Sequence, residues 1–246
     1  MQKEIIKMSL KIKIMVISIL FLSYFNNNLN AQQLSVNQIL NKTVEFYKGI
    51  NDYEILTTYS LHPADQPNVF IESYQGVTIK NQKRYHYKLL SSEVYIFDNK
   101  QLVVDHREQT VNYNIINYED IKFPVDFESY IELYDEQKVI EDKEYVICEL
   151  SGSSKNIQNP YSKIVIYLNK KTYALVKQEL FLKSLIPFKN ETGVKQLVKG
   201  KMTVALKFSE KNKKTIPLFT DFIKVDNTNE NMLVKEELKS YKLISQ

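Results

Sequence analysis

Two hydrophobic periods alternate along the chain. Val36, Ile39, Leu40, Thr43, Val44 and Tyr47 recur at helical spacing between Ser35 and Gly49, so a helix is predicted there. Ser35 and Gln38 make a capping-box pair at its start. From Tyr53 the period becomes two, and strands are expected at Tyr53–Leu61, Val69–Lys80, Lys83–Leu89, Glu93–Phe97, Leu102–His106 and Thr110–Ile116. Gly76 marks a bulge or a close approach within the second, and Asp98-Asn99 is a tight-turn signal. Phe127, Tyr130, Ile131 and Tyr134 return to helical spacing behind Asp126. Strand patterns resume at Lys138–Ile140, Tyr145–Leu150, Lys163–Leu168, Tyr173–Leu182, Met202–Phe208 and Phe219–Asp226. Ser184–Gly200, with Pro187, is expected to break the strands and to carry a short helix over Thr192–Val198.

Connections this short make antiparallel neighbours, because a parallel crossover needs a dozen or more residues. The expected fold class is mainly β with helices (α+β): a curled antiparallel sheet of about eleven strands. A sheet of that length must curl, split or close, and amphipathic helices can then cover its inner surface. Arg84, His86 and Lys88 would lie on the opposite, solvated side from Tyr85, Tyr87 and Leu89.

The first 31 residues read differently. Lys3, Lys7, Lys11 and Lys13 precede the apolar run Ile14–Phe25, and Leu29 and Ala31 occupy the −3 and −1 positions of a cleavage site. Residues 1–31 are therefore expected to be a signal peptide cleaved after Ala31, and residues 32–246 a single exported domain in the periplasm. No Cys follows the apolar run, so a lipoprotein lipidation site is absent. The net charge of +4 owes much to this segment; the rest holds 29 basic and 28 acidic residues. That balance speaks against nucleic acid as a partner. Lys195, Lys199 and Lys201, with Lys211, Lys213 and Lys214, form a basic late stretch, read as a solvated face with anionic lipid contact as a minor role.

Composition limits the chemistry. One Cys excludes an intrachain disulfide and a cysteine metal site. Five Gly and no P-loop, Gly-x-Ser-x-Gly or His-Glu-x-x-His leave the common catalytic motifs unrepresented. Cys148 sits in the apolar strand pattern Tyr145–Leu150 without a local base, so it reads as a buried thiol. His62, His86 and His106 occur in separate contexts and read as surface or structural residues. No catalytic residue, metal ligand or cofactor is expected, and the chain reads as no enzyme.

The order of segments resembles a known family. Ser73-Tyr-Gln-Gly76, Arg84-Tyr-His-Tyr87, Asp98-Asn-Lys-Gln-Leu-Val-Val-Asp105 and Gln109-Thr-Val111 follow the predicted helix in turn. Together with Asp226–Met232 and Tyr241–Ile244, this order is similar to the periplasmic lipoprotein carriers of the LolA/LolB group. Asn99 stands at their turn glycine, and the chain has no Trp. The resemblance implies an unclosed β-barrel under a helical lid, holding acyl chains in an apolar hollow. Lipid or the acyl chains of lipoproteins would then be the partners, with envelope membrane proteins as further contacts and a monomer as the expected state. The candidate ligand-binding residues on the concave face are Tyr59, Leu61, Tyr85, Tyr87, Leu89, Val111, Tyr113, Ile164, Ile166, Met202, Val204 and Leu206. The alternative is a secreted envelope scaffold in which the same positions fill a packed core.

Overall fold

The computed structural model describes residues 34–117, 127–152, 159–189, 192–210, 214–226, 231–235 and 238–245. The expected signal peptide with its cleavage site, Asp126, and Lys211 and Lys213 lie outside the described residues. All but Leu34 and Ser35 of these residues belong to one compact unit, Val36–Gln246. Helix α1 (Val36–Gly49) leads into a meander of β1 (Asp52–Pro63), β2 (Glu72–Asn81), β3 (Arg84–Leu89), β4 (Ser92–Phe97), β5 (Lys100–Asp105) and β6 (Thr110–Ile115). After α2 (Phe127–Glu132) a second meander follows. It comprises β7 (Glu136–Glu141), β8 (Tyr145–Ser151), β9 (Tyr161–Asn169), β10 (Leu175–Lys189) and β11 (Lys195–Ser209). A 3-10 turn (Phe219–Asp221), β12 (Ile223–Asp226), β13 (Asn231–Val234) and β14 (Lys242–Ser245) make the tail.

The two meanders join through β1 and β11. Among the described residues the main sheet has twelve strands in the order β14-β6-β5-β4-β3-β2-β1-β11-β10-β9-β8-β7, and β12 pairs with β13 alone. Every pair in the main sheet is antiparallel except β14 with β6, which is parallel and follows a long connection. The sheet is not closed, so the expected mainly β architecture with an unclosed barrel and a covering helix is the one observed.

Two-residue loops set the register from β2 to β5. Gln82, Leu90 and Asp98 open these loops with φ of 54°, 54° and 47°. That left-handed conformation is a strain for Leu90, whose side chain is also exposed. Gly76 is a close approach without a bulge: a Cβ there would stand 3.1 Å from the Lys88 carbonyl oxygen.

Ser184–Gly200 differs from expectation. It is the continuation of β10 and β11 into a long hairpin, with Pro187 opposite Leu197, and no helix forms over Thr192–Val198. The β9 ladder ends at the Tyr161–Leu182 pair, so the N–H that Pro187 lacks would have met no β9 partner. The expected strand at Phe219 begins instead at Ile223, behind the 3-10 turn.

Each half of the sheet is covered on a different face. Helix α1 packs on the face shared by Tyr53 and Phe208, burying Val36, Ile39, Leu40 and Tyr47. Each such side chain contributes about 1.5–3 kcal/mol of apolar burial. The tail packs on the opposite face of β2–β6, where Ile216, Phe219, Phe222, Ile223, Leu238 and Tyr241 meet Ile79, Tyr95, Phe97, Leu102, Val104, Val111 and Tyr113. Arg84, expected in water, donates from Nη1 to the Ile216 carbonyl at 3.1 Å and helps hold this tail.

Candidate functional site

Helix α1 is fixed to its face at its C-terminal end. Tyr47 meets Tyr53 and Phe208 edge-on with ring centroids 5.6 and 5.8 Å apart. Its hydroxyl accepts from the Leu175 amide at 3.2 Å, and burial pushes the phenol up to about 12. Lys80 reaches from β2 to the last turn of α1, donating to the carbonyl oxygens of Tyr47 (3.1 Å) and Ile50 (2.6 Å). A cation there satisfies carbonyls that the helix leaves unpaired and opposes the negative end of its dipole.

Cross-strand register gathers ten of the twelve candidate residues on this helix-covered face. Ile164, Leu180, Met202 and Leu61 lie in one row, and Ile166, Gln178, Val204 and Tyr59 in the next. Leu206, Thr57, Gly76 and Leu89 follow, then Thr78 beside Tyr87 and Lys80 beside Tyr85. Ile164, Ile166, Val204 and Tyr85 are buried. Tyr59, Leu61, Tyr87, Leu89, Met202 and Leu206 are half-buried and form a strip across β11, β1, β2 and β3. Gly76 leaves room for it: the Tyr59 ring crosses β2 within 3.5 Å of where a Cβ would stand. The Tyr59 and Tyr87 hydroxyls lie 3.4 Å apart. Burial and this contact hold the Tyr87 phenol well above its ordinary value.

Val111 and Tyr113 do not belong to this set. Tyr113 pairs with Leu102, Leu102 with Tyr95, and Tyr95 with His86, which places both residues on the tail-covered face. Val111 is completely buried there and Tyr113 nearly so. The alternation within β6 is as expected, but its apolar side faces away from that of β3. Counting across the loops carries the signal: Leu89 opposite Ser92 and Phe97 opposite Lys100 fix the parity of β4 and β5.

The tail-covered face holds a polar cluster that sequence separation concealed. Glu93 accepts from His86 (Nε2, 2.8 Å), Lys88 (Nζ, 2.7 Å), His106 (Nε2, 3.1 Å) and the Tyr95 hydroxyl. The Glu93 side chain is 10% exposed, and the hydrogen bond from His86 leads the causes that hold its carboxyl well below the usual range. His86 stacks on Tyr95 with centroids 4.3 Å apart, so it is not on a solvated face. His106 is shared with the tail, its Nδ1 lying 2.9 Å from the Tyr241 hydroxyl. A cavity of about 100 Å³ beside the cluster is lined by Glu93, Tyr95, His106, Phe222, Lys235 and Leu238, among others. The Lys88 ammonium already balances the carboxylate, and four donors occupy its two oxygens. That arrangement joins β3, β4, β5 and the tail, and directs no free lone pair at a substrate.

Two other groups singled out by their chemistry are enclosed. Cys148 is fully buried opposite Ile166, and burial pushes its thiol up to about 12. His62 is buried, with Nε2 2.7 Å from the Thr203 hydroxyl; burial first, then Lys201, lowers its pKa. Among the described residues no group of three His, Cys, Asp or Glu side chains is arranged to hold a metal.

The architecture is an open, mainly antiparallel sheet with a helix laid on one face. No family model matches the sequence, and no curated protein matches it. Among solved structures, a LolA superfamily protein of Nitrosomonas europaea is 10% identical and has a TM-score of 0.32. The match covers 74% of this chain and 96% of that one. An uncharacterized conserved protein of Thermus thermophilus is 8% identical, TM-score 0.39, covering 85% of this chain and 98% of that one. A lipoprotein-sorting protein domain of Vibrio parahaemolyticus is 13% identical, TM-score 0.27, covering 69% and 91%.

Proposed function

We propose that this chain is a non-catalytic carrier or binder of lipid or acylated cargo in the cell envelope, exported by residues 1–31 and active in the periplasm. One observation carries the reading: Tyr59, Leu61, Tyr87, Leu89, Met202 and Leu206 form an apolar strip that is only half-buried beside the α1-covered core. An acyl chain laid along it would gain about 0.8 kcal/mol for each CH₂ removed from water. The two tyrosine hydroxyls give the strip a polar point at which an ester or amide could be met. No helix among the described residues is long and apolar enough to cross a membrane.

The scaffold alternative draws support from Ile164 and Ile166, which are fully buried and fill core at positions first assigned to the hollow. Organic extraction of exported protein followed by mass spectrometry separates the two readings. Stoichiometric lipid supports the carrier; protein that carries none and binds no hydrophobic probe overturns it in favour of a scaffold. N-terminal sequencing of the same material tests export, with a start at Gln32 expected and a start at Met1 against it.

A further inference from the structure

The β10–β11 hairpin outruns its neighbours. The β9 ladder ends at Leu182 and the β1 ladder at Gly200, beyond which β1's chain adds the bond from the Ala64 amide to the Lys199 carbonyl. From Leu185–Lys199 to Lys189–Lys195 the two strands pair with each other. At roughly 3.4 Å per residue this arm projects by about 15 Å before its turn.

Its two sides differ. On one, Ile186 is half-buried and Phe188 buried; Ile186 and Leu182 close over Gly200, where a Cβ would stand 2.7 and 2.8 Å from their Cδ1 atoms. On the other, Leu185 and Leu197 are 53% and 66% exposed and Pro187 is exposed between them. Exposed Lys189, Lys195 and Lys199 share that side, and Val194 lies exposed near the turn. Between positions 183 and 201 the sequence has five lysines against the single acid Glu191.

We propose that this arm is a membrane-docking element for an anionic bilayer surface, with Leu185, Pro187 and Leu197 entering the headgroup region and Lys189, Lys195 and Lys199 meeting lipid phosphates. Apolar side chains ringed by lysines match a surface that is apolar beneath and negative above. The ribbon's outer backbone edges need water or headgroups as partners, which confines it to interfacial depth. A second copy seated on the same face would set lysine against lysine. This docking does not depend on whether the half-buried strip carries lipid.

The chain has no Trp, so Leu197→Trp makes the arm its own reporter. Vesicles of equal parts phosphatidylcholine and phosphatidylglycerol should shift its emission to the blue, and phosphatidylcholine alone should shift it far less. Lys171→Trp, in the turn at the other end of β10, should not shift with either. Replacing Lys189, Lys195 and Lys199 by Gln in the Leu197→Trp background should weaken the anionic-vesicle response by roughly a hundredfold. Retained far-ultraviolet circular dichroism shows that each variant folds. No shift on anionic vesicles, an equal shift on both lipids, or a shift that depends on protein concentration without vesicles would each overturn the proposal. The last would assign the face to self-association.

Discussion

The Lys80 ammonium of β2 lies 3.1 Å from the main-chain oxygen of Tyr47, in the last turn of α1. The same ammonium donates to Ile50, and the Tyr53 and Tyr85 rings flank it with centroids 5.6 and 5.8 Å away. One side chain therefore joins the helix to the sheet and supplies the cation that the helix end favours. Lys80→Met keeps the length and removes the donors, leaving the two carbonyls without it. The expected loss is about 2 kcal/mol of unfolding free energy, read from urea denaturation. A change within about 0.5 kcal/mol would show that the contact does not anchor the helix.

Glu93 should make the tail sensitive to acid. Its carboxyl is held below the ordinary value of 4.5 in the folded chain by His86, Lys88, Tyr95 and His106. The stability it contributes is present above about 4.5 and is lost progressively as pH falls through the folded value. Denaturation between pH 6 and 3 should show wild type losing stability more steeply than Glu93→Gln, while the variant is weaker throughout. Identical pH slopes would place the acid sensitivity elsewhere. His86→Asp, which would be harmless on a solvated face, should now destabilise the fold, because it sets a second carboxylate beside Glu93.

Cys148 should behave as a core side chain. Buried completely, with its thiol pushed up to about 12, it offers no thiolate at neutral pH. A disulfide reagent should label it only as fast as the sheet opens, and urea should accelerate labelling. Cys148→Ala should cost about 1 kcal/mol of stability and leave probe binding unchanged. Rapid stoichiometric labelling of the native chain would contradict this placement.

The hydrophobic periods made the elements legible, and short turns made the pairing antiparallel. Parity between strands was harder to read. Periodicity shows that Tyr113 and Val111 share a side, but only register across three successive loops shows that this is the side of His86. The tail has no strand or sheet-face period of its own: Ile216, Phe219 and Phe222 fall three residues apart, yet they pack on the face of β2–β6. The β10–β11 arm is hidden in the sequence because Pro187 is a breaker in most contexts, whereas a hairpin beyond the reach of neighbouring strands tolerates it. The Glu93 cluster draws in His86 and His106, which lie 7 and 13 positions from Glu93 in sequence and come close through cross-strand pairing.

The half-buried strip is best challenged at Tyr87. Its ring shares a face with Tyr59 and Leu89, and its hydroxyl lies 3.4 Å from that of Tyr59. Tyr87→Asp would put a carboxylate where an acyl chain is proposed to lie. The group would either remain charged at a desolvation cost of several kcal/mol or take up a proton, and both weaken hydrophobic contact. Binding of a fluorescent fatty-acid probe should fall at least about tenfold, since a tenfold loss needs only 1.4 kcal/mol. Lys207→Ser, one residue from Leu206 and exposed on the opposite face, should bind the probe as wild type does. Tyr87→Phe separates packing from polarity, because it keeps the ring and removes only the hydroxyl contact; probe binding should survive it. If folded Tyr87→Asp binds as tightly as wild type, the strip is not the binding surface.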